Sequence, residues 1–116
     1  MIQFELDLVS NDEITYHQKK VVKAATADVL HIPGRDIEMK MQKRNLIENK
    51  QKKNNTARMI TYVAKFNAHS LSFVATEKVM KILQSEKFYL DLKEVLWKNK
   101  EFKENLVKIT IISILE

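Results

Sequence analysis

At the start of the chain, apolar and polar residues alternate. Ile2, Phe4, Leu6 and Leu8 fall on one side and Gln3, Glu5 and Asp7 on the other, the period of a half-buried strand. The spacing then turns helical. Ser10-Asn11-Asp12-Glu13 reads as a capping box, with acids suited to the positive end of a helix. Ile14, Val21, Ala25, Val29 and Ile32 follow at helical intervals, and Pro33-Gly34 ends the run. The pattern predicts a first helix over about Asn11 to Leu30.

Two more alternating runs follow. Ile37, Met39 and Met41 alternate with polar residues from Asp36 to Gln42, and from Ala57 to His69 the residues Ile60, Tyr62, Ala64, Phe66 and Ala68 share one side. Between them, Lys43 to Thr56 is rich in Lys and Asn, with Leu46 and Ile47 its only apolar residues. Such a composition favours turns and solvent, so the two strands form a long hairpin with a solvated, basic connection at about 43–56. After His69 the chain is helical again, capped at Ser70 or Ser72, with Val74, Val79, Ile82 and Leu83 as its buried side. Ser85 breaks or recaps the helix. Phe88, Tyr89, Leu92, Val95 and Leu96 carry a second amphipathic piece to about Asn99. A polar link, Lys98 to Asn105, leads to a last strand, Leu106 to Leu115, in which Val107, Ile109 and Ile111 alternate with Lys108 and Thr110.

The order β-α-β-β-α-β predicts an α+β fold, a ferredoxin-like two-layer sandwich with a four-stranded antiparallel sheet and helices on one face. Right-handed crossovers put the first and third strands in the centre and the second and last at the edges. Phe4, Leu6, Ile37, Met39, Tyr62, Phe66 and Ile109 then face the helices. Gln3, Glu5, Asp7, Glu38, Lys40, Thr61, Lys65, Lys108 and Thr110 face outward. An RNA-recognition domain of this topology stacks bases on outward aromatics of its first and third strands. Here those aromatics point inward, so base stacking on the sheet is not expected. The edges, Ile37 to Met41 and Val107 to Leu115, are open to pairing, as in any open sheet.

Composition narrows the chemistry. The 116 residues suit one domain, residues 1–116, with a modest core, and 45% apolar content argues against wholesale disorder. There is no cysteine, which removes disulfides, thiolate metal sites and a cysteine nucleophile. The single Gly stands beside the single Pro, leaving no glycine-rich phosphate loop. No apolar run is long enough for a membrane span, and the alternating first residues do not form a signal h-region. His17, His31 and His69 have no metal-ligand spacing, Ser70 and Ser72 lie near His69 only in sequence, and no carboxylate pair stands out. Trp97 reads as a core or rim residue. No enzyme activity and no cofactor are expected.

Charge is concentrated. Lys40, Lys43, Arg44, Lys50, Lys52, Lys53 and Arg58 face one acid, Glu48, within residues 40–58, a local balance of +6 in a chain of net charge +5. Two readings follow: an anion-seeking finger for nucleic acid, acidic glycan or an acidic partner, or a solvated tip that discourages edge pairing. The second is the blander and the better supported, because no aromatic interleaves the basic residues. Asn54-Asn55-Thr56 on that connection is a glycosylation sequon, relevant only to a secreted protein.

Several stretches carry a family resemblance. Val29 to Ile37, Met59 to Phe66, Ala75 to Leu83, Ser85-Glu86-Lys87-Phe88 and Val107 to Thr110 together resemble the SEA-like, ferredoxin-fold modules repeated in extracellular proteins of protists and algae. The resemblance implies a non-enzymatic adhesion or spacer module of an extracellular or cell-surface assembly, with a neighbouring repeat or another protein as partner. Self-cleaving members carry a Gly-Ser turn between the second and third strands. Lys50 to Thr56 has neither residue, so autoproteolysis is not implied. The alternative is a small basic nucleic-acid-binding protein using residues 40–58.

Overall fold

The computed structural model describes residues 1–44, 59–100, 102 and 106–115, with 106 and 107 as backbone alone. Four strands, β1 (Ile2–Ser10), β2 (Ile37–Lys43), β3 (Ile60–Ala68) and β4 (Leu106–Leu115), form one antiparallel sheet in the order β2-β3-β1-β4. Helix α1 (Tyr16–Leu30) joins β1 to β2 through a short 3-10 turn, Gly34–Asp36. Helices α2 (Phe73–Gln84) and α3 (Glu86–Lys98) join β3 to β4. This is the ferredoxin-like α+β sandwich, with the first and third strands central.

Strict alternation on the two central strands builds the core. Phe4 stacks on Phe66 with ring centroids 4.7 Å apart, and Phe88 of α3 meets Phe4 edge-on at 6.4 Å, both favourable aromatic geometries. Ile2, Leu6, Leu8, Ile60, Tyr62 and Ala64 complete the sheet side; Val22, Leu30, Val79, Leu83, Leu92 and Leu96 complete the helical side.

Helix α1 starts later than the sequence pattern predicts. Ser10 is still in β1, paired with Ile60, and its hydroxyl donates to the Asp12 carbonyl. The Ile14 N–H donates to the Tyr62 hydroxyl at 2.9 Å, holding that segment off the helix. The capping box is instead Thr15 with Gln18: the Gln18 N–H donates to Thr15 Oγ1 and the Thr15 N–H to Gln18 Oε1. Of the predicted line, Ile14, Ala25 and Ile32 are buried, whereas Val21 and Val29 are half-buried and Gln18, Val22, Thr26 and Leu30 take the buried positions beside Ala25. Thr26 is tolerated there because its hydroxyl donates to the Val22 carbonyl at 2.8 Å.

The end of α1 falls at Leu30, as the pattern predicts, and His31 takes the left-handed conformation at φ 57° just beyond it. The His31 N–H donates to the Asp28 carbonyl and the Ile32 N–H to the Ala27 carbonyl, the two bonds of a Schellman motif. Downstream, Ser72 caps α2, and Ser85 ends α2 while capping α3. Val74, expected to be buried, is 59% exposed, and Tyr89 and Val95 of α3 lie on its outer side. Each helix has a single neighbouring layer, which leaves room for only a narrow buried stripe. Met39 is only half-buried. Phe102, passed over within the polar link, is fully buried.

Candidate interaction surface

The antiparallel register arranges the outer sheet face as rows across the strands. Lys40, Lys65, Glu5 and Ser113 form one row; Glu38, Asn67, Gln3 and Leu115 form the next. They line a shallow depression of about 620 Å³. Lys40 and Lys65 are directly opposed, and Glu5 Oε1 lies 3.9 Å from Lys65 Nζ. Asn67 Oδ1 and Asp7 Oδ1 are buried without a hydrogen-bond partner. Phe4, Tyr62 and Phe66 are buried on the opposite face, so this surface is a charged lattice and its strands offer no aromatic platform among the described residues.

Of the basic residues singled out by sequence, three fall within the described residues. Lys40 is exposed on the outer face. Lys43 makes an ion pair with Glu13, and Arg44 Nη1 lies 3.1 Å from Asp7 Oδ2. The base of the basic hairpin is thus held down on the acids of β1 and of the turn after it, which partly neutralises it. Lys50, Lys52, Lys53 and Arg58, the connection at 43–56 beyond Arg44, the sequon at Asn54 and the side chain of Val107 lie outside the described residues.

One polar relay was not legible in the sequence. His69 Nδ1 lies 3.3 Å from Ser70 Oγ, and His69 Nε2 lies 3.6 Å from Glu38 Oε1. Ser70 has φ 60° at the turn between β3 and α2, and the imidazole contacts the serine through one ring nitrogen and the carboxylate through the other. The His69–Glu38 contact is an ion pair only when the imidazole is protonated. The Glu38 side chain is 71% exposed, and water competes for each of these contacts. In a hydrolytic triad the carboxylate is buried and the serine bonds Nε2; here the ring is used the other way round. The relay is a surface network at the end of β3. Among the described residues no three His, Asp or Glu side chains come together to hold a metal ion, and no helix is long and apolar enough to cross a membrane.

The two sheet edges differ sharply. β2 carries Glu38, Lys40, Gln42 and Lys43 along seven residues, the charged pattern that discourages strand addition. β4 has ten residues, Leu106 to Leu115, of which Lys108 alone is charged. Its Ile112 and Leu115 are 42% and 62% exposed. The register with β1 passes from Ser113 opposite Glu5 to Ile111 opposite Leu6, making Ile112 the extra residue of a bulge. Beside this edge runs a groove of about 460 Å³, with Leu83, Tyr89, Ile109 and Ile111 in its wall. Crossover handedness marks both strands as edges, and their unequal charge is legible in the sequence. The bulge, and the groove made with the α2–α3 junction, come with the tertiary structure.

The fold and its surfaces define a ferredoxin-like sandwich with one charged edge and one apolar edge. No family model and no curated protein matches the chain. Among solved structures, the chain is similar to the crystal structure of At3g17210 from Arabidopsis thaliana, with 11% identity and a TM-score of 0.46 over 100% of this chain and 94% of that one. A likeness at this level carries nothing about function.

Proposed function

We propose that the protein is a non-enzymatic structural or protein-interaction module that engages its partner by adding a strand to β4. The observation that supports this reading is the long, nearly uncharged edge bordered by an apolar groove, opposite an edge guarded by charge. Main-chain groups on such an edge supply affinity, and alternate side chains entering the groove supply selectivity. An adhesion or spacer role in an extracellular or cell-surface assembly is the setting that the SEA-like sequence resemblance favours. A titration tests the reading directly. A synthetic peptide copying residues 106–115, flanked by lysines to keep it dissolved, is added to isotope-labelled protein and followed by NMR. Amide shifts confined to Lys108–Leu115 and the Tyr89 side of the groove are expected. Absent shifts, or shifts along β2, would remove the reading.

A further inference from the structure

Resting on that reading, we infer that the strand added to β4 is β4 of a second copy, paired antiparallel about a two-fold axis between Ile111 and Ile112. The argument begins with the bulge. Inward residues on β4 are Ile109 and Ile111 before it and Ile114 after it; outward residues are Lys108 and Thr110 before it, and Ser113 and Leu115 after it. Residues paired across antiparallel strands must lie on the same face of the sheet. In a regularly alternating strand an axis between two adjacent residues violates this, because it pairs inward with outward positions. The extra residue at Ile112 reverses the parity. An axis between Ile111 and Ile112 pairs Ile109 with Ile114, both inward. It pairs Thr110 with Ser113 and Lys108 with Leu115, all outward.

Every pair over 108–115 flanking the central isoleucines is therefore face-matched, and each occurs twice, as an isologous contact requires. The charges agree as well. The edge's one ammonium group, on Lys108, meets Leu115 of the second copy, along which its aliphatic stem can lie, so no like charges are opposed. The two Ile112 side chains, exposed in the single chain, come together at the axis. Ile114 of the second copy lies over Ile109, in the wall of the groove that Leu83 and Tyr89 also line. Four strands from each copy then make one continuous sheet with all helices on the same side. β2 cannot do this equally well: an added strand would run along Glu38, Lys40, Gln42 and Lys43.

Sedimentation equilibrium over a concentration series tests the inference with three variants. The double variant Thr110→Lys with Ser113→Lys sets lysine against lysine twice across the axis. Within one copy the same lysines face Asp7 and Glu5 of β1, so folding is spared, and circular dichroism checks this. Wild-type protein is expected to dimerise reversibly, and the double variant to do so about tenfold more weakly, like charges directly opposite being unfavourable. Leu115→Glu places a carboxylate opposite Lys108 of the second copy and is expected to dimerise more tightly than Leu115→Lys, although both lose the same leucine. A wild-type protein monomeric throughout would overturn the inference. So would a dimer indifferent to the double variant, or one in which Leu115→Glu and Leu115→Lys behave alike. Each of these failures leaves the peptide titration, read by amide shifts along Lys108–Leu115, to decide separately whether the β4 edge accepts an added strand.

Discussion

Tyr62 joins the two layers through one atom. Its ring lies in the core and its hydroxyl takes the Ile14 N–H, a buried donor whose position in the chain differs from its own by 48. Tyr62→Phe keeps the ring and strands that donor, so a loss of about 1–3 kcal/mol is expected by chemical denaturation. Phe66→Ala removes one ring of the stacked pair and leaves a void under Phe4, with an expected loss of about 3–5 kcal/mol. His31 points the other way: it holds φ 57° without being glycine, and His31→Gly is expected to raise stability by up to about 1 kcal/mol. At the surface, Glu94 and Lys98 lie 2.8 Å apart on α3. The Lys98 hydrogen bond and charge hold Glu94 below the ordinary carboxylate value, and Glu94 correspondingly raises Lys98. The carboxylate's contribution is therefore present above the unfolded carboxylate range and fades as pH falls through the lowered value. The lysine's contribution is present below its unfolded value and is lost as pH rises through the raised one. The pair is fully exposed, so salt should erase both effects. Acid titration of Glu94→Gln against wild type, with and without salt, checks the sign.

At the scale of elements, two capping boxes compete for the start of α1. Ser10 with Glu13 and Thr15 with Gln18 both satisfy the spacing, and local sequence alone favours the first because it carries the acids. The second prevails because β3 holds Ser10 in the sheet and Tyr62 holds Ile14. Thr15→Ala is expected to cost about 1 kcal/mol, and Asp12→Ala, outside the box, much less; thermal unfolding of the two variants compares them. The breaks at Ser72 and Ser85 were readable because a serine before a new apolar period is a local signal. The exposure of Val74 and the burial of Phe102 were not. A residue's periodicity says that it belongs to a stripe, but not how wide a stripe the neighbouring layer covers.

For the whole molecule, the contrast between edges shapes its expected behaviour. The interaction-module reading expects nucleic-acid affinity to be weak and lost at physiological salt. Tight binding abolished by Lys50→Glu, Lys52→Glu and Lys53→Glu, measured by fluorescence anisotropy at two salt concentrations, would instead assign the role to the basic hairpin. Period-two and helical spacings sufficed to set the order of elements, the inward face of β1 and β3 and the strand order of the sheet. Those properties follow from side-chain direction and crossover handedness, both local or topological. The base of the basic stretch was visible as charge, but its engagement by Asp7 and Glu13 was not, because those partners are more than 25 residues away in the chain. The Glu38–His69–Ser70 relay and the bulge at Ile112 likewise came only with the tertiary structure. Each depends on which residues two separate elements bring face to face, and a register between strands is a property of the pair.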